Sequence, residues 1–572
     1  MDMLYDLQID NIDVATGRKD AHLVFKNAKY INVFTEELLE GDVAINNGYI
    51  IGIGNYSGEK EIDLKGKIIS PGFIDGHIHI ESTMVKPSEF AKALVIHGTT
   101  TVITDPHEIV NVCGTDGIDY MLQATENLPL SVYFMMPSCV PATKIDESGA
   151  VLDSNTIKKY YTNERILGLA EMMNYFGVSQ GDSEVIKKLV DAKYYNKLVD
   201  GHAPGVKGKE LNAYALTGVK SDHECSFFEE AKEKIGVGQY IMIREGTAAK
   251  NLNSLIKLFD APYYNRCMLV TDDKHPGDIL EKGHINYIVK EAIKLGADPI
   301  KAIKMASFNA ATYFGLMNIG AIAPGYLANF AIIDNLNDFN IESVYFKGNE
   351  VARNRSVLAD YNIKVDKELE KKICNSFNIS KTIPEDFIIK ETGNKVRVMG
   401  LEKHELLTKD LIFDKIEDDF VKLAVLERHN NTGHIGLGYM RGYGLKKGAI
   451  ASSVAHDSHN LIVAGTNDID MSIAANALID NEGGWAIAVD GKLVDVLPLP
   501  IAGLMSDKSV NDIEEDIIRM KSLTKELGVE EGIDPFMTLG FLSLPVIPEI
   551  KMTTYGYVDV ATQKVVPTIF ND

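Results

Sequence analysis

Short alternating runs of apolar and polar residues fill the chain from Asp20 to Leu64. In LVFKNAKYINVFTEELLEGDVAINNGYIIGIG these runs are broken by Gly, Asn and Asp, a pattern typical of antiparallel strands joined by tight turns. A second stretch of this kind, AIAPGYLANFAIIDNLNDFNIESVYFKGNEV, occurs far along the chain. We expect the two stretches to pair, and predict one small β-sandwich domain that is discontinuous in sequence, formed by residues 1–67 and 318–365.

Between these stretches, β-rich apolar runs alternate with helical ones. The run GKIISPGFIDGHIHI precedes the helical KPSEFAKALVIHG, and in SEVIKKLVDAKYYNKL apolar residues recur at three and four positions, as one face of a helix requires. Eight strand candidates end near His79, His107, Pro137, Glu171, His202, His223, Glu245 and Asp272. Eight such units predict a (β/α)8 barrel of the TIM type over residues 68–317.

The chain after residue 365 has a different character. A charged segment from Asp366 leads into LAVLERHNNTGHIGLGYMRGYG and AIASSVAHDSHNLIVAG, in which glycine-rich turns separate apolar β runs. We predict a third, C-terminal α+β domain over residues 366–572. The fold class expected for the whole chain is therefore α/β, with the barrel at its centre.

The bulk composition is that of a folded protein. Its net charge favours a small substrate that is neutral or cationic. Hydrophobic residues make up 45% of the 572 residues and charged residues 24%, as in ordinary globular proteins. The 58 Lys and Arg against 81 Asp and Glu leave a net charge of -23. This charge disfavours nucleic acids and anionic membranes as partners, because both would be repelled.

The cysteines and the N-terminal segment indicate the compartment. Five cysteines without any CxxC pair suit a reduced protein with neither disulfides nor a thiolate zinc site. The start MDMLYDLQIDNIDVATGRKD lacks the basic flank and apolar run of a signal peptide, and no apolar stretch reaches the roughly 18 residues of a membrane helix. We expect a cytoplasmic enzyme, and a homodimer or higher homo-oligomer as its assembly, since dimers are the commonest state.

His77 and His79 stand two residues apart at the end of a predicted strand. Alternate strand residues point to the same side, so both imidazoles face the barrel interior and one metal ion can take both. An isolated HxH pattern is weak evidence, because polar residues commonly end strands. The residues at the other predicted strand ends must therefore show whether a metal site is present.

Five of the 14 histidines fall at predicted strand ends, namely His77, His79, His107, His202 and His223. The active site of a TIM barrel lies at that face, so these side chains converge although they are far apart in sequence. Glu171 interrupts the apolar run ILGLAEMM, where an unpaired buried carboxylate would be costly. Asp272 and Asp273 offer further carboxylates, or cap the following helix. Imidazoles and carboxylates together predict a hydrolytic metal centre.

The motifs PGFIDGHIHIESTM, TDPHEI, GLAEMMN, GHAPG, SDHE and VTDD follow one another along the chain. Together they resemble the bacterial adenine deaminases of the amidohydrolase superfamily, and AIASSVAHDSHNLIVAG resembles the C-terminal domain of that family. The resemblance spans nearly the whole chain. It implies hydrolysis of adenine to hypoxanthine and ammonia at two divalent metal ions, with Mn or Fe favoured.

The resemblance also implies a role for each ligand. The six expected ligands are His77, His79 and Asp272 for one ion, His202 and His223 for the other, and Glu171 as the bridge between them. Many superfamily members bridge their ions with a carboxylated lysine, whereas GLAEMMN contains no lysine. This argues against the dihydroorotase and hydantoinase branches.

Two side chains are expected to move protons in the implied reaction. Divalent ions lower the pKa of bound water from about 15.7 to about 7, and Asp272 would accept the proton of this nucleophile as C6 of adenine is attacked. A purine ring nitrogen must then be protonated. Glu224 in SDHE and Glu245 in QYIMIRE are the candidate acids, and we favour Glu224.

Three histidines outside the six expected ligands have open roles. His107 in TDPHEI is a candidate for binding an additional metal, for contacting the purine, or for a hydrogen bond inside the barrel mouth. His456 and His459 in SSVAHDSHN are candidates for a lid over the purine or for a further metal site. We favour the lid or a structural role, because the barrel already supplies a full set of ligands.

Two other functions stay open at this stage. A different dinuclear-metal amidohydrolase, such as an N-acetyl sugar deacetylase or a cyclic amidase, would share the barrel and the HxH pattern. A barrel without catalysis, acting as an assembly subunit, would be expected to have lost ligands, whereas every expected ligand is present. Release of ammonia from adenine would distinguish an adenine deaminase from the other amidohydrolases.

Overall fold

The chain begins with a helix and seven short strands. The computed structural model describes residues 2–247, 249–358, 361, 363–403 and 405–571. Helix α1 spans Asp2–Ala15, and the strands are β1 Ala21–Lys26, β2 Lys29–Asn32, β3 Glu37–Glu40, β4 Asp42–Asn46, β5 Tyr49–Gly54, β6 Gly58–Asp63 and β7 Ile68–Pro71. The helix was not predicted. It is anchored by Val14, which packs with Val24 and Ala44.

Eight parallel strands follow. They are β8 Phe73–Ile78, β9 Thr99–Thr104, β10 Ser131–Met136, β11 Ile166–Met172, β12 Leu198–Gly201, β13 Ser221–Asp222, β14 Tyr240–Arg244 and β15 Cys267–Val270. They form a five-stranded run β12-β11-β10-β9-β8 and a three-stranded run β13-β14-β15. Each ends within three residues of its predicted end, so the local apolar pattern located the strands correctly.

The two runs of strands close into one barrel. At one seam Ile78 and Asp272 form a parallel bridge. At the other, Lys220 N donates to Val199 O at 2.9 Å. Gly201 permits the close approach at this second seam, because a Cβ there would lie 2.3 Å from Ser221 O. The predicted (β/α)8 barrel is confirmed.

Helices surround the barrel, most of them between successive strands. They are α2 Pro87–Val95, α3 His107–Cys113, α4 Thr115–Ala124, α5 Ser154–Ile157, α6 Tyr175–Gln180, α7 Ser183–Tyr194, α8 Gly208–Leu216, α9 Phe228–Gly236, α10 Leu252–Leu255, α11 Pro276–Glu281, α12 Ile285–Lys294, α13 Pro299–Met305 and α14 Phe308–Tyr313. Short 3₁₀ segments cover Ile80–Thr83, Lys158–Thr162, Ile256–Phe259 and Tyr263–Arg266. Asp182 and Asp298 cap α7 and α13 through backbone N–H groups, as acidic side chains do at helix starts.

After the barrel, the chain returns to the small β domain. Strands β16 Phe330–Ile333, β17 Ile341–Phe346, β18 Asn349–Arg353 and β19 Ser356–Val357 join the sheet β19-β18-β17-β16-β7-β2-β3, beside the sheet β5-β4-β1-β6. Phe330 stacks on Tyr345 at 4.9 Å and meets the edge of Phe25 at 5.3 Å. Strand β7 belongs to this sheet, so the β domain extends past residue 67 to Pro71.

The C-terminal part is built on one large, mostly antiparallel sheet, ordered β21-β20-β23-β22-β25-β24-β26-β27. Its elements are α15 Lys367–Ile373, a 3₁₀ segment Pro384–Phe387, β20 Lys395–Leu401, β21 Thr408–Phe413, β22 Val421–Leu426, β23 Ile435–Arg441, β24 Ala449–Ser452, β25 Leu461–Gly465, α16 Asp468–Asp480, β26 Gly484–Val489, β27 Lys492–Pro498, α17 Val510–Glu526, α18 Pro535–Phe541, β28 Ile550–Thr553, β29 Gly556–Asp559, β30 Lys564–Val566 and β31 Ile569–Phe570. Helix α16 packs on the sheet through Met471, Ala474 and Leu478.

The C-terminal domain lies directly on the barrel. Ser506 pairs with the segment after β8, donating its N–H to Met84 O at 2.8 Å and accepting from Lys86 N at 2.9 Å. Further along the interface, His434 Nδ1 lies 2.9 Å from Glu147 Oε1. The contact is therefore made at the carboxyl ends of the barrel strands. Along the described part of the chain, no helix is both long and apolar enough to cross a membrane.

Candidate metal centre

Six side chains from five strand ends meet inside the barrel mouth. His77 lies in β8 and His79 directly follows it, Glu171 lies in β11, His202 and His223 each follow their strands, and Asp272 comes two residues after β15. All but His202 are buried, with exposed fractions of 2–7%. The structure therefore brings together all six residues that the resemblance named as ligands.

The first group of ligand atoms comprises two imidazoles and two carboxylates. His79 Nε2 lies 3.2 Å from Asp272 Oδ1 and 3.6 Å from Glu171 Oε1. His77 Nε2 lies 3.7 Å from Asp272 Oδ1 and 3.9 Å from Glu171 Oε1. These separations between ligand atoms suit a common ion, since each bond from such an ion to nitrogen or oxygen is about 2.0–2.2 Å.

The second group uses the other oxygen of Glu171. Its Oε2 lies 2.8 Å from His202 Nδ1 and 3.2 Å from His223 Nε2. Burial would raise the pKa of Glu171, but bonds to His202 and His223 outweigh it and hold this pKa well below its usual range. The Glu171 carboxylate is thus an anion that faces one imidazole pair with each oxygen, as a bridging ligand must.

Neighbouring groups hold these ligands in place. His79 Nδ1 donates to the backbone O of Asp105 at 2.9 Å, which leaves Nε2 with its lone pair toward the carboxylates. Asp272 has a left-handed backbone with φ 59°, and its N–H donates to His77 O at 3.0 Å. Such partners orient metal ligands and fix the tautomer of their imidazoles, and left-handed non-glycine residues concentrate at functional sites.

The cluster fits divalent ions. Within the part of the chain that the structure describes, His77 Nε2 is buried without a hydrogen-bond partner, which is costly unless another ligand satisfies it. Imidazole nitrogens and carboxylate oxygens are the donors that hydrolytic metal centres use. The overlapping sets His77, His79, Asp272 and His77, Glu171, His223 are both compact enough for one ion.

Arg244 was not predicted from the sequence. It ends β14, and its guanidinium donates to Glu224 through Nη1 at 2.6 Å and Nη2 at 2.8 Å, and to Asp272 Oδ2 at 2.5 Å. Burial would raise the pKa of Asp272, but Arg244 and the imidazoles hold it well below its usual range. The available signal was a charged residue at the end of the otherwise apolar strand YIMIR.

The two candidate acids lie in different surroundings. Glu224 Oε1 is 3.3 Å from His223 Nε2 and 3.5 Å from His202 Nδ1, so its carboxylate borders the metal centre. Glu245 Oε1 instead accepts the backbone N–H of Leu252 at 3.0 Å. The structure therefore places Glu224, and not Glu245, beside the ligands.

His107 is not a strand-end residue, which corrects one prediction. Strand β9 ends at Thr104, and His107 begins α3. Its Nδ1 lies 3.0 Å from Asp105 Oδ2 and 3.5 Å from Glu171 Oε1. Burial would lower the pKa of His107, but Asp105 and Glu108 raise it well above its usual value. Asp105, which the sequence reasoning did not single out, joins His79, His107 and Glu171 in one potential ligand group.

The C-terminal domain delivers His456 and His459 to Glu108 of the barrel. His456 Nδ1 lies 2.7 Å from Glu108 Oε1, and His459 Nε2 bonds Glu108 Oε2. His459 Nδ1 accepts the N–H of Ala455 at 3.1 Å, so in the neutral ring Nε2 carries the proton. A nitrogen that carries a proton cannot bind a metal. The geometry thus favours a hydrogen-bonded contact between domains over a further metal site.

Comparisons with known proteins found similar sequences over nearly the whole chain. The amidohydrolase family profile matches residues 68–351, and the profile of the adenine deaminase C-terminal domain matches residues 400–564. An adenine deaminase 2 from Carboxydothermus hydrogenoformans is 48% identical over 569 residues, covering 98% of this chain and 99% of that protein. An adenine deaminase from Clostridium acetobutylicum is 48% identical over 566 residues, covering 97% and 99%. The similarity therefore extends over all three domains.

Proposed function

The chain belongs to the adenine deaminase family, and on this premise we propose that it hydrolyses adenine to hypoxanthine and ammonia at the metal centre described above. The observation that carries the proposal is the position of Glu171, whose two carboxylate oxygens each face one pair of imidazoles. This geometry suits two ions bridged by a carboxylate. In the overall reaction, water adds its oxygen to C6, the bond from C6 to the exocyclic nitrogen breaks, and ammonia leaves.

We propose the following division of ligands. His77, His79 and Asp272 would hold one ion, His202 and His223 would hold the other, and Glu171 would be shared between the two sets. Bound there, two divalent ions lower the pKa of water from about 15.7 to about 7 and so supply the nucleophile at neutral pH. Manganese or iron is the proposed metal, because the resemblance to the adenine deaminases favours these two; imidazole and carboxylate donors by themselves also accept zinc or cobalt.

Two carboxylates move the protons in this proposal. Asp272 accepts the proton of the nucleophile through the carboxylate that Arg244 holds at 2.5 Å. Glu224 delivers a proton to a purine ring nitrogen as C6 becomes tetrahedral, which prevents negative charge from building up in the ring. Burial would raise the pKa of Glu224, but His202 and Arg244 hold it well below its usual range. Glu224 is therefore a carboxylate at rest, and it must accept a proton before it can donate one to the purine ring.

The direct test is an assay of the purified, Mn-loaded protein with adenine. We expect hypoxanthine and ammonia in equal amounts, and their loss when the metal is removed by a chelator. Adenosine is the matched control, because it carries the same amine at C6 but has a sugar attached to one ring nitrogen. Turnover of adenosine without turnover of adenine would overturn the free-base assignment. Release of acetate from an N-acetyl sugar, or opening of a cyclic amide, without ammonia from adenine would support the other amidohydrolases.

A second prediction concerns the proton shuttle. Glu224→Gln is expected to lower kcat for adenine by about 100-fold or more, since general acid catalysis contributes at this scale, while both ions stay bound. Glu245→Gln is the matched control, because that carboxylate bonds a backbone amide and lies apart from the ligands. Steady-state kinetics and metal analysis of both variants show which of the two glutamates donates the proton. A large loss of kcat in Glu245→Gln with none in Glu224→Gln would transfer the role to Glu245.

Location and assembly stay predictions. The five cysteines are all free thiols in the structure, which is compatible with the proposed cytoplasmic location. We propose a homodimer or higher homo-oligomer, because the homodimer is the commonest assembly of soluble oligomeric proteins. Light scattering of the purified chain tests the latter, and a monomer at the concentrations of the assay would overturn it.

A further inference from the structure

The C-terminal domain places one carboxylate, that of Asp457, close to the metal centre. Asp457 lies between β24 and β25, in the same segment as His456 and His459, and it is only 4% exposed. Its Oδ1 lies 4.0 Å from His107 Nε2. Its Oδ2 is buried without a hydrogen-bond partner among the residues that the structure describes. Asp457 therefore meets the barrel at an imidazole whose role the sequence left open.

A buried carboxylate with so few partners lowers the stability of a folded protein. Burying an ionised group costs free energy unless hydrogen bonds or opposite charges compensate for the lost water. Burial raises the pKa of Asp457 to about 6, although His107 acts in the opposite direction, so the group is still mostly ionised at neutral pH. Proteins keep features that cost stability mainly at functional sites. The position of Asp457 thus indicates a function and not a structural role.

The imidazole of His107 stands among four carboxylates. Its Nδ1 lies 3.0 Å from Asp105 Oδ2 and 3.5 Å from Glu171 Oε1. Its Nε2 lies 3.4 Å from Glu108 Oε1 and 4.0 Å from Asp457 Oδ1. Each ring nitrogen thus faces two carboxylates, and rotation of the ring would break contacts on both sides. The four carboxylates together fix the plane of the ring.

The fixed ring of His107 lies against two of the expected metal ligands. Its centroid is 4.6 Å from that of the His79 ring, with the planes inclined by 65°, and its Nδ1 faces Glu171. Asp105 pairs with His107 through its side chain, and its backbone O accepts from His79 Nδ1 at 2.9 Å. A displacement of His107 would therefore disturb both His79 and Glu171. Losing a partner that orients metal ligands typically costs about 10–100-fold in metal affinity or activity.

The segment that carries Asp457 is anchored on both sides. Arg428, whose side chain is fully buried, donates through Nε to the backbone O of His459, which ties the segment to the core of the C-terminal domain. Asn460 Nδ2 donates to the backbone O of Glu147 at 2.7 Å, which ties the segment to the barrel. Asp457 therefore faces His107 from a fixed position, set by both domains.

We propose that Asp457 is a positioning residue of the metal centre: its charge holds His107, and His107 in turn holds Glu171 and His79 in place for the ions. The C-terminal domain then supports the metal centre of the barrel without supplying a metal ligand. The inference rests on the proposed function for its kinetic test, which uses adenine as substrate. Its metal-binding test needs no substrate, so the two can fail separately.

The test uses Asp457→Asn in the full chain, prepared without metal and then titrated with Mn. The amide keeps the shape of the side chain and removes its charge. We expect the dissociation constant of Mn, measured by calorimetry, to rise by about 10-fold, and kcat for adenine to fall by about 10-fold, while KM stays near wild type. The melting temperature of the metal-free variant should not fall below that of wild type, because His107 keeps three other carboxylates.

Asp146→Asn is the matched control. Asp146 of the barrel is also a buried carboxylate, 6% exposed, and within the described part of the chain its Oδ2 has no hydrogen-bond partner. Its carboxylate bonds Ser458 of the C-terminal domain and does not pair with His107. Asp146→Asn should therefore keep the Mn affinity and the kcat of wild type. Equal losses in Asp146→Asn and Asp457→Asn would overturn the proposal, because they would come from domain docking.

A double-mutant cycle with His107→Gln tests the route of the effect. If Asp457 acts through His107, Asp457→Asn should add little once His107 is replaced, and the double variant should bind Mn about as well as His107→Gln alone. Losses that multiply would show that Asp457 acts independently of His107, which contradicts the positioning role. A rise of KM for adenine with unchanged Mn affinity would contradict it too, because it would indicate a substrate contact.

The outcomes separate this inference from the proposed function. If wild type deaminates adenine and Asp457→Asn equals it in both Mn affinity and kcat, the positioning role is wrong and the function stands. If wild type releases no ammonia from adenine, the proposed function fails. In that case, Mn binding that weakens in Asp457→Asn but not in Asp146→Asn still supports the positioning role.

Discussion

Glu171→Gln is expected to abolish deamination and to release metal from the purified protein. The substitution keeps the shape of the side chain but removes the negative charge that faces His79 at 3.6 Å and His202 at 2.8 Å. Without this charge, two adjacent cations would repel one another in a buried site. We expect kcat/KM for adenine to fall by at least about 1,000-fold, the scale of losing a metal-activated nucleophile.

The measurement is metal analysis combined with kinetics, at several concentrations of added Mn. Wild type should hold two ions per chain in this proposal, and Glu171→Gln should hold one or none. Glu245→Gln is again the matched control, since it removes the charge of another glutamate near a strand end that does not face the imidazoles. Two tightly bound ions and full activity in Glu171→Gln would contradict the bridging role.

The barrel could be predicted because its signal is local. Each strand is a short apolar run followed by a helix with apolar residues at three and four positions, and both patterns lie within about one βα unit. The position of Glu171 was predictable for the same reason, since a carboxylate inside the buried strand ILGLAEM needs a partner. The topology of the barrel then supplies that partner, by bringing strand ends into one mouth.

Contacts between distant segments could not be predicted in this way. Glu108 and His456 are separated by 348 positions, and no periodicity relates them. The contact exists only because the C-terminal domain docks on the barrel mouth. Arg244 illustrates a different limit, because the sequence shows a charge in an apolar strand but not that this charge joins Glu224 to Asp272. The role of Arg244 depends on which side chains the barrel brings next to it, and the sequence of one strand does not contain this information.

The pair Asp272 and Asp273 shows the same limit at single-residue scale. In VTDD the sequence alone does not distinguish the roles of the two carboxylates, and either could have capped the next helix. The left-handed backbone of Asp272 directs its carboxylate to His77, His79 and Arg244. Asp273 instead accepts a hydrogen bond from Ser82 at 2.5 Å. One carboxylate therefore faces the expected metal ligands, whereas the other ties together the segments that follow β8 and β15.

Asp272→Asn should consequently lower kcat steeply, whereas Asp273→Asn should change the kinetics little. The amide introduced by Asp272→Asn can still offer an oxygen to the first ion, but it cannot accept the proton of the nucleophile. We therefore expect kcat to fall by about 1,000-fold or more, near the upper range for a general base. Asp273→Asn keeps the ligand set, and weakens only the bond to Ser82. Its kcat and KM should both stay within several-fold of wild type.

Inhibition by hypoxanthine separates binding from chemistry in both variants. The inhibition constant should be near wild type in Asp273→Asn, because that variant keeps every expected ligand. In Asp272→Asn it should change far less than kcat, because the amide oxygen can still be offered to the first ion. Equal losses of kcat in the two variants would show that the left-handed turn does not divide their roles, and the assignment of the base to Asp272 would then fail. The expected asymmetry instead follows from geometry, because a single backbone rotation turns one of two identical neighbours toward the metal centre.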